Sequence, residues 1–373
     1  MEKVCHITIA HKRSDVRILQ RECFALCEAG YDVTFLVNDE KEDDVINGVE
    51  ILSAHAPMGS KIKRIRAVRI LEKKAIDIDA AIYHLHEPEL LIFADHLRKL
   101  GKKVIFDSHE AYSLQFHVRG IASPQIQACA RKLYRFFEKR KCKNLDAIIV
   151  PGSFRVGNDL NWNPFKGINK NVVFIANYPK QIPYSYERQE TEFKVCYTGA
   201  LSYERGITNL VHACYKAKVP LILAGRFVSK EYELQLQSDP SYSCVDYRGI
   251  CSREEIYKIY QEASLGASIL LDCGQYAKLN VLATKVYEYF QCKLPTLFGS
   301  YPYADELNEK YQFGVSVNSN AIDEIVEAIL KLKSDPQLCL NMGENGYSLY
   351  KEKFTWEKEA KRLINLYNNL CEK

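Results

Sequence analysis

The stretch AAIYHLHEPELLIFADHLRKLGKKVIFD (80–107) decides the fold. Residues 80–86 read as a short apolar strand carrying two alternating histidines, His84 and His86. Residues 90–100 follow a helical period and stop at Gly101, where a C-cap glycine belongs. KVIFD (103–107) is again a continuous apolar strand. Strand, helix and strand in one short stretch form a parallel crossover. Such a sheet is covered on both faces, so its strands read as unbroken apolar runs.

Working outward, the same alternation recurs. VCHITIA (4–10), a helical Val16 to Ala29, DVTFLV (32–37) and a basic helix Lys61 to Lys74 precede the stretch. A helix over 124–143, AIIVP (147–151) and VVFIAN (172–177) follow it. YPKQIPYSYERQETE (178–192) breaks the pattern with two prolines and no apolar period, and reads as a linker. A second series then begins: KVCYTG (194–199), a helix to Lys218, PLILAG (220–225), SCVDYRG (243–249), a helix over Ser252–Ala263, and GASILL (266–271). A helix from about Thr284 to Cys292, PTLFG (295–299), FGVSV (313–317) and helices 321–334 and 336–350 complete it. The expectation is an α/β chain of two doubly wound parallel-sheet domains, 1–178 and 193–350, joined by 179–192. Ligands of such sheets bind beyond the carboxyl ends of the strands.

Composition narrows the class. The 373 residues carry 51 Lys+Arg against 47 Asp+Glu, a net charge of +4, which argues against a chain-wide polyanion binder and against nucleic acid as partner. The first residues, MEKVCHITIAHKRSD, lack the apolar core of a signal peptide, and no window is apolar enough to span a bilayer. Thirteen cysteines, scattered and without a CxxC pair, fit a reduced, cytoplasmic compartment.

The motifs sit at strand exits. There is no GxGxxG, no GxxxxGK[ST] and no GxSxG, so dinucleotide, P-loop and elbow-serine chemistry lack support. Asp77 and Asp79 look like a metal-binding aspartate pair but fall on the entry side of strand 80–86, where solvated helix-end carboxylates are the simpler reading. His84 and His86 face one way. Two histidines could begin a zinc site, yet no third ligand is evident in the sequence, and metal sites need three or four. His86-Glu87 and Asp107-Ser108-His109-Glu110 leave successive strands at their carboxyl ends, which makes His109 and Glu110 candidates for an active site. His11 to Asp15 leads from the first strand into a helix; Ser14 or Asp15 serves as N-cap, or the loop faces a sugar or phosphate. In the second half, Gly199 allows close backbone approach and Arg205 offers a donor fork for phosphate. Leu223-Ala224-Gly225 repeats the strand-to-glycine turn. Lys285 in a first helical turn opposes the dipole unless an anion binds there, and Glu288, one turn on, suits a ribose diol.

Together these residues resemble the retaining nucleotide-sugar glycosyltransferases of family four, whose GT-B architecture sets two Rossmann-like domains facing each other. The resemblance runs through HKRSDVRILQRECFALCEAGYDV, YHLHEPELL, FDSHEAYS, YTGALSYERGI, LILAGRF, VDYRGICSREEIYKIYQEA, TKVYEYFQCKLPT and FTWEKEAKRL, in the family's order. It implies that 351–373 is a C-terminal helix packing back on the N-terminal domain. It implies donor binding by Gly199, Arg205, Gly225, Lys285 and Glu288, with Glu288 as the second glutamate of the paired motif. Asn280 stands at the first glutamate's place, and Ala200 where many members carry arginine. His109 matches the acceptor-side histidine, with Asp15 in the sugar-facing loop and His11 and His86 as sugar-side candidates.

The resulting expectation is transfer of a sugar from a nucleoside diphosphate donor, UDP-sugar first, to a saccharide or lipid-linked saccharide in cell-surface polysaccharide synthesis, with retention. No cofactor and no metal are expected. Basic segments 61–74 and 131–143 point to an anionic membrane surface at the inner face of the plasma membrane. A UDP-sugar epimerase of the same fold and a non-catalytic sugar-nucleotide-binding subunit are the alternatives.

Overall fold

The computed structural model describes residues 1–373 except 58, 60, 110–122, 157, 158, 183–191, 272–277, 279 and 373. The chain divides into two compact units: 1–153 with 161–177 and 356–373, and 154–160 with 178–355.

In the first unit, β1 (Lys3–Thr8), β2 (Asp32–Val37), β3 (Asp44–Ile46), β4 (Val49–Ser53), β5 (Ile82–Leu85), β6 (Lys103–Asp107), β7 (Ala147–Val150) and β8 (Val172–Phe174) form an eight-stranded sheet. Its order is β8-β7-β6-β5-β1-β2-β4-β3. Every pairing is parallel except the β3–β4 hairpin, which closes on Asn47 and Gly48, the residue pair a two-residue hairpin turn favours. The central strands β1, β2, β5, β6 and β7 are buried along almost their whole length, which is why they read as apolar runs.

The helix expected over 16–29 is irregular. Ile18–Cys23 is π-helical and only Phe24–Glu28, α1, is α-helical. The Glu22 N–H donates to the Arg17 carbonyl at 3.0 Å. A π turn stacks residues five apart, so Arg17 and Glu22 are buried together, whereas an α-helix would turn them to different faces. The unit also holds α2 (Lys61–Ile78), α3 (Leu91–Lys99) and α4 (Pro124–Cys142).

The second unit holds β9 (Val195–Thr198), β10 (Leu221–Ala224), β11 (Val245–Gly249), β12 (Leu265–Ser268), β13 (Thr296–Gly299) and β14 (Gly314–Val317), an all-parallel sheet ordered β11-β10-β9-β12-β13-β14. Its helices include α5 (Ile207–Ala217), α6 (Lys230–Gln237), α7 (Arg253–Glu262), α8 (Thr284–Gln291), α9 (Pro302–Tyr311), α10 (Ile322–Ser334) and α11 (Pro336–Lys353). Residues 351–353 thus finish α11, and the terminal helix α12 (Trp356–Cys371) starts at Trp356. It belongs to the first unit, burying Trp356, Leu363 and Tyr367 in one core with Ile18, Leu26 and Phe35.

Strand order reverses between β1 and β5 in the first sheet and between β9 and β12 in the second. Those switch points are where a doubly wound sheet opens a crevice. Both sites described next lie there.

Candidate active site

In the second unit a cavity of about 750 Å³ opens beyond the carboxyl ends of β9, β12 and β13. Gly199, Arg205, Lys285 and Glu288 all line it, joined by Thr198, Arg253 and Ser300. Gly199 follows β9 with φ +129°, and a Cβ there would stand 3.6 Å from Lys285 Cε. That is ordinary contact, so it is the positive φ rather than space that calls for glycine here. Gly225 does not line the cavity; its role is one step removed. With φ +138°, it packs so closely that a Cβ would overlap the Gly199 carbonyl oxygen. It therefore holds the Gly199 turn.

Lys285 is only 8% exposed, in the first turn of α8. Burial, then the neighbouring Arg205, pulls its ammonium down to about 7. Its Nζ lies 4.5 Å from the centre of the Tyr197 ring. Neither Lys285 nor Arg205 makes an ion pair among the described residues. Glu288, by contrast, is already engaged: it accepts hydrogen bonds from Arg253 Nη2 at 2.7 Å and from Tyr260 Oη at 2.8 Å. Tyr260 in turn bridges to Thr198 Oγ1 at 2.7 Å. Arg253, overlooked in the sequence, is set at the opening of α7 by a Ser252–Glu255 capping box. That box was legible; that its helix points Arg253 at the cavity was not. Asn280 does not line the cavity, and its Oδ1 accepts from Arg155 Nε at 2.7 Å.

The first unit gathers the histidines. The Glu87 carboxylate ties the β1 exit together, accepting from Thr8 Oγ1, from the Ile9 and Ala10 N–H groups at 3.0 Å, and pairing with His11 Nδ1 at 2.8 Å. Burial would raise its pKa, but the His11, Thr8 and Ile9 bonds override this and hold it at about 2. The same bond to Glu87 raises His11. His11 stacks on His109 with ring centres 4.6 Å apart. His109 Nε2 bridges to His86 Nδ1 at 3.0 Å and lies 3.3 Å from Asp107 Oδ2. Burial pushes His109 down to about 3, against the pull of Asp107, so it is neutral at physiological pH.

Asp107 is held by Arg17, whose Nε and Nη2 donate to its two oxygens at 2.9 and 3.0 Å. Burial opposes its charge, and Arg17 overrides that to keep its pKa well below the carboxylate range. Asp15 acts as a cap: Oδ1 accepts from the Arg17 and Ile18 N–H groups, both at 2.9 Å. His11, His86 and His109 are thus brought together, Asp15 supports them, and Glu110 lies outside the described residues. A cavity of about 530 Å³ beside them is lined by His11, Glu87, Arg64, Tyr134 and Phe137. The sequence reading missed Arg17, Glu22 and the anchoring role of Glu87. A buried charge inside an otherwise apolar helix face was the available signal.

The segments that carry these two sites each match a glycosyltransferase domain model. Residues 17–156 match the glycosyl transferase 4-like domain, and residues 180–349 match the glycosyl transferases group 1 family. The fold is that of GT-B glycosyltransferases. Sucrose-phosphate synthase from Thermosynechococcus elongatus superposes with a TM-score of 0.76 at 17% identity, covering 100% of both chains. Anabaena HepE, solved in complex with UDP-glucose, gives 0.69 at 12% identity over 99% of this chain and 100% of its own. In sequence, an uncharacterized glycosyltransferase of Methanocaldococcus jannaschii is 24% identical over 190 residues, 49% of this chain. The match spans about half, 47%, of that curated relative.

Proposed function

We propose that this chain transfers a sugar from a nucleoside diphosphate sugar, UDP-sugar first, to a saccharide or lipid-linked saccharide acceptor, with retention at the anomeric carbon, in cell-surface polysaccharide synthesis. The observation that carries this is the buried Lys285 beside Arg205 at the head of α8: two cations without an ion-pair partner among the described residues, at a helix N-terminus that favours anions. A diphosphate is the ligand that matches them. That the structural neighbour HepE binds UDP-glucose supports the same reading.

In the transition state, negative charge grows on the leaving diphosphate. Arg205, Lys285 and the α8 N–H groups lower its energy electrostatically. No metal is needed at the diphosphate in this reading. Glu288, held by Arg253 and Tyr260, keeps lone pairs for a ribose diol. Neutral His109, with Nε2 shared between His86 and Asp107, positions sugar hydroxyls rather than supplying a proton. Gly199 and Gly225 shape the donor turn, His11 and His86 build the sugar side, and Asp15 fixes Arg17.

Lys63, Arg66 and Arg69 on α2 and Leu133 and Phe136 on α4 are exposed, which supports action at an anionic membrane surface on its cytoplasmic face. No helix among the described residues is long and apolar enough to cross a membrane. Incubation with UDP-sugars, with and without saccharide acceptors, tests the proposal by product mass. Sugar interconversion without acceptor would indicate an epimerase instead. Binding without turnover of any donor would indicate a non-catalytic subunit.

A further inference from the structure

The strand alternation that puts His84 and His86 on one face of β5 also aligns them with β1, where His6 is the register partner of His84. The π turn brings Glu22 onto the same spot. All four side chains are fully buried. One nitrogen or oxygen of each lies within 4.8 Å of the others. We propose that His6, His84, His86 and Glu22 form a binding site for a transition-metal ion of the zinc class, inside the first unit and separate from the donor cavity.

The hydrogen bonds around the four residues orient them for this. His84 Nδ1 and His6 Nε2 both meet the Tyr367 hydroxyl, at 2.8 and 3.1 Å, and His86 Nδ1 meets His109. Each imidazole therefore has one nitrogen occupied by an outer partner, which fixes its ring and leaves the other nitrogen for a ligand bond. His6 Nδ1 and His86 Nε2 are 3.0 Å apart, and Glu22 Oε2 is 4.0 Å from His6 Nδ1. Among the described residues His84 Nε2 has no hydrogen-bond partner, and Glu22 makes no hydrogen bond, its Oε1 instead lying 3.1 Å from Arg17 Nε. A proton can bridge His6 and His86 but reaches neither His84 Nε2 nor Glu22 Oε2. A divalent ion accepts lone pairs from all four at once.

Three imidazoles and a carboxylate suit zinc or cobalt, not magnesium or calcium, which take oxygen ligands. Binding would draw the four atoms from their present spread to about 3.3 Å apart, the edge of a tetrahedron with bonds of about 2.0 Å. The ion would add to the charge compensation of Glu22, whose Oε1 lies 3.1 Å from an Arg17 Nε that it shares with Asp107. His86, Asp107 and His109 form a second ligand-like group leading outward, and His109 is 14% exposed, which gives the ion a path in.

The test uses the full chain, stripped with chelator and titrated with cobalt(II). A tetrahedral ligand-field spectrum at one equivalent, free of thiolate charge-transfer bands and abolished by zinc, is the expected result. Glu22→Gln preserves shape and leaves Arg17 its pair with Asp107, so the stripped variant should stay folded by circular dichroism while binding cobalt at least tenfold more weakly. His84→Gln should lose the tetrahedral spectrum; should it not fold, Glu22→Gln decides. No tetrahedral spectrum, a thiolate band marking cysteine ligation, or unchanged cobalt affinity in Glu22→Gln would each overturn the proposal.

Discussion

Replacing Lys285 with Met separates what the lysine does for the fold from what it does for the donor. Its ammonium is lowered from 10.5 to about 7 by burial and by Arg205. At about 1.4 kcal/mol per unit, holding the charge in the folded state costs at most about 5 kcal/mol. The sign follows from proton counting. Between about pH 7 and 10.5 the unfolded chain binds more protons at this position, so stability rises with pH there, and below 7 the full cost applies. Met fills the same volume over Tyr197 without the charge, and forfeits about 1 kcal/mol of cation–π attraction. K285M should therefore melt several degrees higher than wild type at pH 6.5. Its affinity for UDP-glucose should fall, because a charged hydrogen bond is worth about 1.5–3 kcal/mol, or about 10- to 150-fold. Wild-type affinity should also decline by up to tenfold per unit as pH rises above about 7, a slope K285M should lack. Differential scanning fluorimetry and calorimetry across pH read both effects. A variant that melts lower and binds UDP-glucose unchanged would refute the reasoning and make Lys285 a structural residue.

Other outcomes follow from the same geometry. Glu288→Ala should weaken nucleotide-sugar binding by about 1.5–3 kcal/mol in calorimetry with the circular dichroism spectrum preserved, since the carboxylate is lost at the cavity wall. His109→Ala should leave UDP-glucose affinity within twofold while transfer falls by about tenfold or more, measured as product per minute, because the side chain belongs to the other unit. UDP-glucose affinity should be the same with and without EDTA; a loss restored by manganese or magnesium would place a metal at the diphosphate. Sedimentation with anionic vesicles should fall with salt and with neutralisation of Lys63, Arg66 and Arg69, at roughly 1 kcal/mol per charge, and equal binding to neutral vesicles would defeat the membrane reading.

Much of this molecule is local in origin and so legible in the chain. Continuous apolar runs such as KVIFD (103–107) and PLILAG (220–225) read as strands covered on both faces, and α1 and α3 run out at Gly30 and Gly101, whose positive φ a glycine adopts without strain. Strand exits and helix starts are equally local, so Gly199 and Arg205 after β9 and Lys285 and Glu288 on α8 could be named from their positions. Even the passed-over β3–β4 hairpin had its Asn47-Gly48 signal in plain view. What the sequence could not carry is the set of partners that meet only after chain reversal. His6 and His84 lie 78 positions apart yet are register neighbours, because parallel strands require a crossover before they can pair. Tyr367 reaches both histidines from the last helix, and Arg17 and Glu22 share a face only because a π turn replaces an α turn. Likewise, Lys285 is a lysine in a first helical turn until burial against Tyr197 and Gly199 lowers its pKa. Hydrophobic pattern determines which segments are strands and helices; desolvation, and the few ångströms at which charges and rings meet, belong to the folded chain alone.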